Sequence, residues 1–287
     1  MSIDRQSVLR ANRDCYQRMT ASDAPLCRIV SDAELADPLK TVDRAGWLGP
    51  DIRGWRVLCL AAGGGRQSCL YAAAGAEVTV VDLSPAMLEL DRRAAGQRKY
   101  SVRLFEGSMD DLSMLAAGSF DLVVHPVSSC YLPDVAKVYA QVARVTRAGG
   151  LYVSQHKSPA SLQGSMHRQN GNFELLHDYY RSTPVPPAAD STPVSRRLRE
   201  GGAVEFLHRW EQLVGGMCRA GFAIEDLVEP MHAESDAAQD TFADRAKVIA
   251  PYVRIKARRN TTMAAGSGSE SPQLPSPGIW LPGSMSF

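Results

Sequence analysis

Gly63, Gly64 and Gly65 stand together in the run Leu60-Ala61-Ala62-Gly63-Gly64-Gly65-Arg66-Gln67, and Asp82 follows 17 positions after Gly65 at the end of an apolar stretch. Glycines let a turn bring its backbone close to a ligand, and a carboxylate one strand away can accept both hydroxyls of a ribose. Together they describe a nucleoside site, with the glycines there because a side chain on the turn would collide with the ligand. A dinucleotide pyrophosphate would want a third glycine three places after the second, so that it could sit on the following helix. Counted from Gly63 and Gly65 that place is Ser68, and Arg66 and Gln67 crowd the turn.

The elements that must position these groups can be read around them. Arg56-Val57-Leu58-Cys59-Leu60 is a short apolar run of the kind buried in parallel sheets, and 67–74 reads as a helix closed by Gly75. Glu77-Val78-Thr79-Val80-Val81 supplies a second, β-branched strand. Ser84 then offers a helix N-cap with Pro85 at the first helical position. Strand, glycine turn, helix and strand ending in an acid form one βαβ unit.

Four stretches in order resemble the class I S-adenosylmethionine-dependent methyltransferases, over roughly residues 50 to 157. VLCLAAGGGRQS from Val57 is similar to that family's glycine loop, with Cys59 in place of the usual acid and Ala61 in place of the first glycine. VTVVDLSPAMLELDRRAA from Val78 resembles its ribose acid and the helix start beyond it. LFEGSMDDLSML from Leu104 resembles the segment closing on the adenine, with Ser108 where an aspartate is common. The stretch from Ser119 to His156 resembles strand four, its catalytic loop, a helix, the Gly149-Gly150 turn and strand five. The resemblance implies a Rossmann-like, doubly wound seven-stranded α/β sheet carrying an inserted substrate cap, and S-adenosyl-L-methionine as cofactor. It implies cofactor contacts from Ala61, Ala62, Gly63 and Gly65 in the loop, from Asp82 and Leu83 at the ribose, and from Met87, Met109 and Asp110 around the adenine. With Ser108 in place, Asp110 or Asp111 is left to meet the adenine amino group.

A sulfonium methyl is already activated, so such an enzyme must mainly hold a nucleophile in line and exclude water. A hydroxyl or thiol acceptor would be helped by a neutral histidine. His125 follows strand four and His156 follows strand five, so both are expected to project toward the methyl group, His125 also touching the cofactor; each could equally cap a strand or fix a loop. His208, at the start of the helix after the cap, could join these two histidines; Tyr131, Ser128 and Ser129 are further candidates for orienting the acceptor, and Lys157 for pairing with an anionic one or for lying solvated. The acceptor atom stays open among oxygen, nitrogen, sulfur and carbon. A nicotinamide oxidoreductase and a non-catalytic nucleoside-binding protein remain as rivals. A nucleic-acid amino-methyltransferase is disfavoured by His125-Pro126-Val127-Ser128 where an N/D-P-P-Y-like loop would stand.

The 287 residues are 45% hydrophobic, ample for a large core, and a net charge of +1 gives no electrostatic footprint for nucleic acid. Six cysteines show no C-x-x-C pair and no metal spacing, as reduced thiols of a cytoplasmic protein would, and no metal site is expected. The N-terminus lacks the apolar core of a signal peptide and no run is long enough to span a bilayer. Val8, Ala11, Cys15 and Met19 recur at helical spacing, so residues 1–45 read as a helical segment that packs on the domain or, through Asn12 and Tyr16, folds over the cofactor. Trp47 reads as a core anchor. Residues 46–260 read as the methyltransferase domain, interrupted by an insertion at 158–207 that breaks the α/β rhythm. That cap includes a small hairpin at 196–206 turning at Glu200-Gly201-Gly202. A helix over 206–220 and strands over 222–228 and 247–257 complete the sheet. Residues 261–287 are poor in charge and rich in serine, glycine and proline, a disordered tail in which Ile279-Trp280-Leu281 is either a docking segment or a stray triplet. Oligomeric state is not written in the sequence.

Overall fold

Every strand expected around the glycine loop forms, because each is an apolar or β-branched run too short for a helix and bounded by turn residues. The computed structural model describes residues 4–22 and 24–261. Five strands run parallel: β1 (Arg56–Leu60), β2 (Glu77–Asp82), β3 (Val102–Glu106), β4 (Phe120–His125) and β5 (Thr146–Lys157). With β6 (Phe222–Val228) and the antiparallel β7 (Tyr252–Arg259) they make one seven-stranded sheet in the order β3-β2-β1-β4-β5-β7-β6. The chain runs outward from β1 to β3 and then returns to β4 on the other side of β1. Strand order thus reverses at β1 and β4, and the crevice beyond their carboxyl ends is where such sheets bind ligands.

Helices cover both faces, as a parallel sheet requires. Ahead of β1 come α1 (Arg5–Ala21), α2 (Asp32–Leu35) and α3 (Pro38–Val42). Then α4 (Gln67–Ala73) and α5 (Pro85–Arg98) connect the first three strands, and α6 (Val135–Val145) joins β4 to β5. On one face α6 lays Val138, Tyr139 and Val142 against Leu58, Val123 and Tyr152; the other face packs Val57, Val80, Leu122 and Leu151 with Tyr71 and Leu88. In α1 the buried stripe is Val8, Leu9, Asn12 and Cys15, so Ala11 and Met19 lie off the expected line. Trp47 is half-buried, donating its Nε1 proton to Asp226 at 2.8 Å beneath Arg254, and anchors a loop to the sheet's far edge.

Three expectations past β5 need correction. The hairpin at 196–206 does not form: Thr192 caps a helix, Pro193 takes its first turn, and α8 (Pro193–Leu198) replaces the first arm, α7 (Pro159–Gln163) having opened the insertion. The helix expected over 206–220 starts only at residue 210. Phe206 instead donates its amide to the Cys130 carbonyl, keeping 206–209 extended against the β4 loop, before Glu211–Gly215, wound as a wider π turn, leads into α9 (Gly216–Arg219). The last strand begins at Tyr252 and not at 247, because α10 (Phe242–Ala246) and Pro251 precede it. Of the expected tail only Thr261 is among the described residues, and Ile279-Trp280-Leu281 lies outside them.

Candidate active site

The glycine loop leaves β1 through Ala61, whose φ of 48° is left-handed and whose amide donates to the Val81 carbonyl at 2.8 Å. A left-handed alanine costs roughly 1–2 kcal/mol, which explains why glycine is the family's usual residue here. The Gly63 amide donates to Asp82 Oδ2 at 2.9 Å and the Ser84 amide to Oδ1 at 2.8 Å. Asp82, with an amide on each carboxylate oxygen, lines the cavity. Burial raises the Asp82 carboxyl above its usual range, opposed by the amides of Ser84, Gly63 and Leu83.

Protein packing by itself requires glycine at positions 63 and 65. A Cβ on Gly63 would come within 2.8 Å of Met87 Cβ, and one on Gly65 within 2.7 Å of Ala94 Cβ and 2.8 Å of the Leu90 carbonyl. Gly65 accordingly does not line the cavity; its amide and that of Gly64 donate to Asp91 at 3.0 and 2.9 Å. Asp91 also accepts the Ser68 hydroxyl and has no solvent exposure; burial pushes its carboxyl up to about 6 against those three hydrogen bonds. The amides that would cradle a pyrophosphate at the start of α4 are thus consumed by an internal carboxylate. Sequence reading missed Asp91, although a signal existed: an acid at the core-facing spacing of Met87, Leu88 and Ala95 must be buried with partners.

A cavity of about 1120 Å³ runs along the carboxyl edge of the sheet. That exceeds the roughly 300–1,000 Å³ usual for one bound molecule, leaving room for a nucleoside and a second ligand. Ala61, Ala62, Gly63, Asp82 and Leu83 line it at β1 and β2, together with Met87 and Met109; Ser128 and Tyr131 line it beyond β4. Asp110 does not reach it. Its carboxylate is engaged by Arg5 at 2.7 and 2.6 Å and by the Ser108 hydroxyl, and these outweigh burial to hold its carboxyl below the usual value. Asp111 is turned to solvent, whereas Ser108 lines the cavity.

Helix α1 roofs the cavity with Leu9, Asn12, Arg13, Tyr16 and Met19. Asn12 donates to the carbonyls of Tyr131 (3.0 Å) and Val204 (3.2 Å) and accepts the Val204 amide at 2.7 Å. Arg13 donates to the Leu83 carbonyl and pairs with Glu106. The helix therefore packs into the core through Leu9 and also forms one wall of the cavity.

The histidines are not in the cavity. His125 is buried, its Nδ1 2.7 Å from the Tyr152 hydroxyl and its Nε2 without a hydrogen-bond partner among the described residues. Burial pushes its pKa down to about 3, so the ring is neutral. His156 lies edge-on to it, between Ser129 Oγ (2.7 Å) and Ser154 Oγ (2.8 Å), and burial holds it well below its usual value too. His208 donates from Nε2 to the carbonyls of Ser129 and Leu132. These rings, with Ser129, form a buried polar cluster that supports the β4 loop from behind and touches no ligand space.

What faces the far end of the cavity is a different set. Tyr16 donates its hydroxyl proton to the Tyr131 hydroxyl at 2.9 Å, and Tyr131 and Glu200 line the same cavity. Lys157 is neither solvated nor free for a ligand; it is buried, 2.9 Å from Glu200 and paired with Glu205, which also holds Arg199. Burial alone would lower the Lys157 pKa and raise that of Glu200, but their attraction reverses both, so the pair is charged. Glu200, Gln155, Tyr252, Arg196 and Arg197 all line this end. No motif in the sequence marks them.

The sequence model of a family described as "Methyltransferase domain" matches residues 58–154. An uncharacterized methyltransferase of Bacillus subtilis, YbaJ, is 35% identical over 195 residues, which are 67% of this chain and 74% of that protein. A ubiquinone biosynthesis O-methyltransferase of Xanthomonas oryzae is 33% identical over 113 residues, 39% of this chain and 47% of the relative, so the chain spans about half of that enzyme. Among solved structures, an S-adenosylmethionine-dependent methyltransferase from Mesorhizobium loti superposes with a TM-score of 0.59 at 24% identity, covering 77% of this chain and 98% of that one, which supports the fold.

Proposed function

Since the chain belongs to the class I S-adenosylmethionine-dependent methyltransferases, we propose that it methylates a small-molecule acceptor held between the β4 loop and the cap. The observation that carries this reading is a cavity that joins Asp82, whose two carboxylate oxygens are each held by a backbone amide, to the end lined by Tyr131 and Glu200. S-adenosylmethionine supplies an electrophilic methyl group on a sulfonium. Asp82 takes the ribose hydroxyls, Leu83, Met87 and Met109 enclose the adenine, and Ala61, Ala62 and Gly63 border the methionine half. Tyr131 and Glu200 meet the acceptor. Glu200, kept charged by Lys157, is a weak base but a strong hydrogen-bond acceptor, suited to orienting an O–H or N–H in line with the methyl group. The roof formed by α1 excludes water during transfer.

In this reading residues 46–260 are the catalytic domain, 158–207 the acceptor cap and α1 the lid. The six free thiols among the described residues accord with a cytoplasmic protein. A nicotinamide dinucleotide is disfavoured by Asp91, which occupies the pyrophosphate-binding amides. Calorimetric titration with S-adenosylmethionine, S-adenosylhomocysteine and NAD tests the reading. Both sulfur nucleosides are expected to bind and NAD not to. Asp82→Ala should lose one to two charged hydrogen bonds, about 1.5–3 kcal/mol each. Unchanged affinity in that variant would refute the ribose assignment.

A further inference from the structure

The acceptor end of the cavity carries a charge pattern that the methyl-transfer reading, on which this inference rests, does not require. Strands lie about 4.7–4.9 Å apart, so the edge from Asp82 on β2 across β1 and β4 to Gln155 on β5 measures about 14 Å, and Tyr252 of β7 stands one strand further on. A nucleoside anchored at Asp82 occupies the near part, and the far part falls to the second ligand.

Four arginines line the cavity: Arg13, Arg66, Arg196 and Arg197. Arg13 pairs with Glu106 and Arg66 with Glu34, whereas neither Arg196 nor Arg197 makes an ion pair among the described residues. The acid between them and the β4 loop, Glu200, is already matched by Lys157. The far end is therefore positive, and both arginines are exposed to it. Arg197 is also held in place. Val194 and Leu198 pack α8 onto Phe242, the Arg197 guanidinium lies 3.9 Å from the centroid of the Phe242 ring, and the Tyr252 hydroxyl donates to the Arg197 carbonyl at 3.3 Å. A guanidinium stacked by its face keeps its edge N–H groups free, in the fork that matches a carboxylate or a phosphate.

We infer that the methyl acceptor is a small molecule bearing a carboxylate or phosphate, and that Arg196 and Arg197 bind this anionic group at the β5–β7 end while the nucleophilic atom lies beside Tyr131. The anion then fixes the acceptor's direction along the cavity, so these residues select substrates and do not react.

The test uses the full chain saturated with S-adenosylhomocysteine and titrated with benzoate, phenyl phosphate and neutral benzyl alcohol. At least one anion should bind about tenfold or more tightly than benzyl alcohol, and that preference should disappear in Arg196→Gln/Arg197→Gln and shrink in Arg196→Gln alone, which leaves the Phe242 stack intact. Whichever anion prevails identifies carboxylate or phosphate. Equal binding of benzyl alcohol, no anion binding up to about 10 mM, or an unchanged preference in the double variant would overturn the inference while leaving methyl transfer standing. A matching fall in S-adenosylhomocysteine affinity in the double variant would also overturn it, by assigning the arginines to the cofactor's own carboxylate. Failure of the wild type to bind S-adenosylhomocysteine would instead bring down the methyl-transfer reading, and this inference with it.

Discussion

Replacing Asp91 with asparagine asks whether the glycine loop is held from behind by a buried carboxylate. Asp91 accepts the Gly64 and Gly65 amides and the Ser68 hydroxyl. Asparagine keeps one acceptor oxygen and turns an amide donor toward other donors, so at least one partner is stranded. Losing a hydrogen bond to a charged group costs about 1.5–3 kcal/mol, and a stranded buried donor adds about 1–3. The variant also removes a carboxylate that burial has raised from 3.8 to about 6, a shift worth about 3 kcal/mol above pH 6. At pH 7 these contributions oppose each other and the net change in stability is only a few kcal/mol.

The pH dependence separates them. Because the folded protein binds the Asp91 proton more tightly than the unfolded chain, the charged carboxylate is a cost that is complete above about pH 6 and vanishes as pH falls toward 4. Between pH 7 and pH 5 the wild type should therefore gain about 1 kcal/mol relative to Asp91→Asn, read as the change in the difference between their urea midpoints. A loop released at Gly64 and Gly65 must be reordered on binding at about 1–2 kcal/mol per residue, so S-adenosylhomocysteine affinity should fall by at least about tenfold, although Asp91 never touches the cavity. Parallel stability curves with an unchanged dissociation constant would refute the reasoning.

Two further outcomes follow from the geometry. His125→Ala and His156→Ala should each cost about 2–4 kcal/mol, by opening a cavity and leaving Tyr152 or Ser129 without a partner. Methyl transfer should keep the same pH profile in whatever fraction stays folded; loss of a titration step between about pH 5 and 8 would instead make the ring a catalytic base. Ala61→Gly relieves a left-handed alanine and should raise stability by up to about 1 kcal/mol, the gain in the native state being partly offset by a looser unfolded chain. A fall in Tm would show that the Ala61 methyl packs usefully against its surroundings.

The contrast between what was readable and what was not follows from the range of the forces involved. The βαβ unit is local: apolar runs, a cap at Ser84 and an acid at Asp82 act within a few residues of themselves, so β1 and β2 form where the residues say they should. The histidines were misplaced because a position at the end of a strand states which edge a side chain approaches, not which face it takes. Face is set by alternation. Val123 packs against α6, so His125 two places on follows it; Tyr152 packs against α6, and Ser154 and His156 keep its parity. Gln155, of opposite parity, is the β5 residue that lines the cavity. Counting by twos from the apolar residues would have exchanged His156 for Gln155 from sequence alone. No such count reaches Arg196, Arg197 or Glu200. Their place depends on an insertion with no period, whose six-residue helix α8 is fixed by Phe242 and Tyr252, more than forty positions away in the chain. On the proposed reading, acceptor recognition is carried by the part of the molecule least determined by local pattern, so that the cap could change while the cofactor end, built on β1, β2 and Asp91, keeps its geometry.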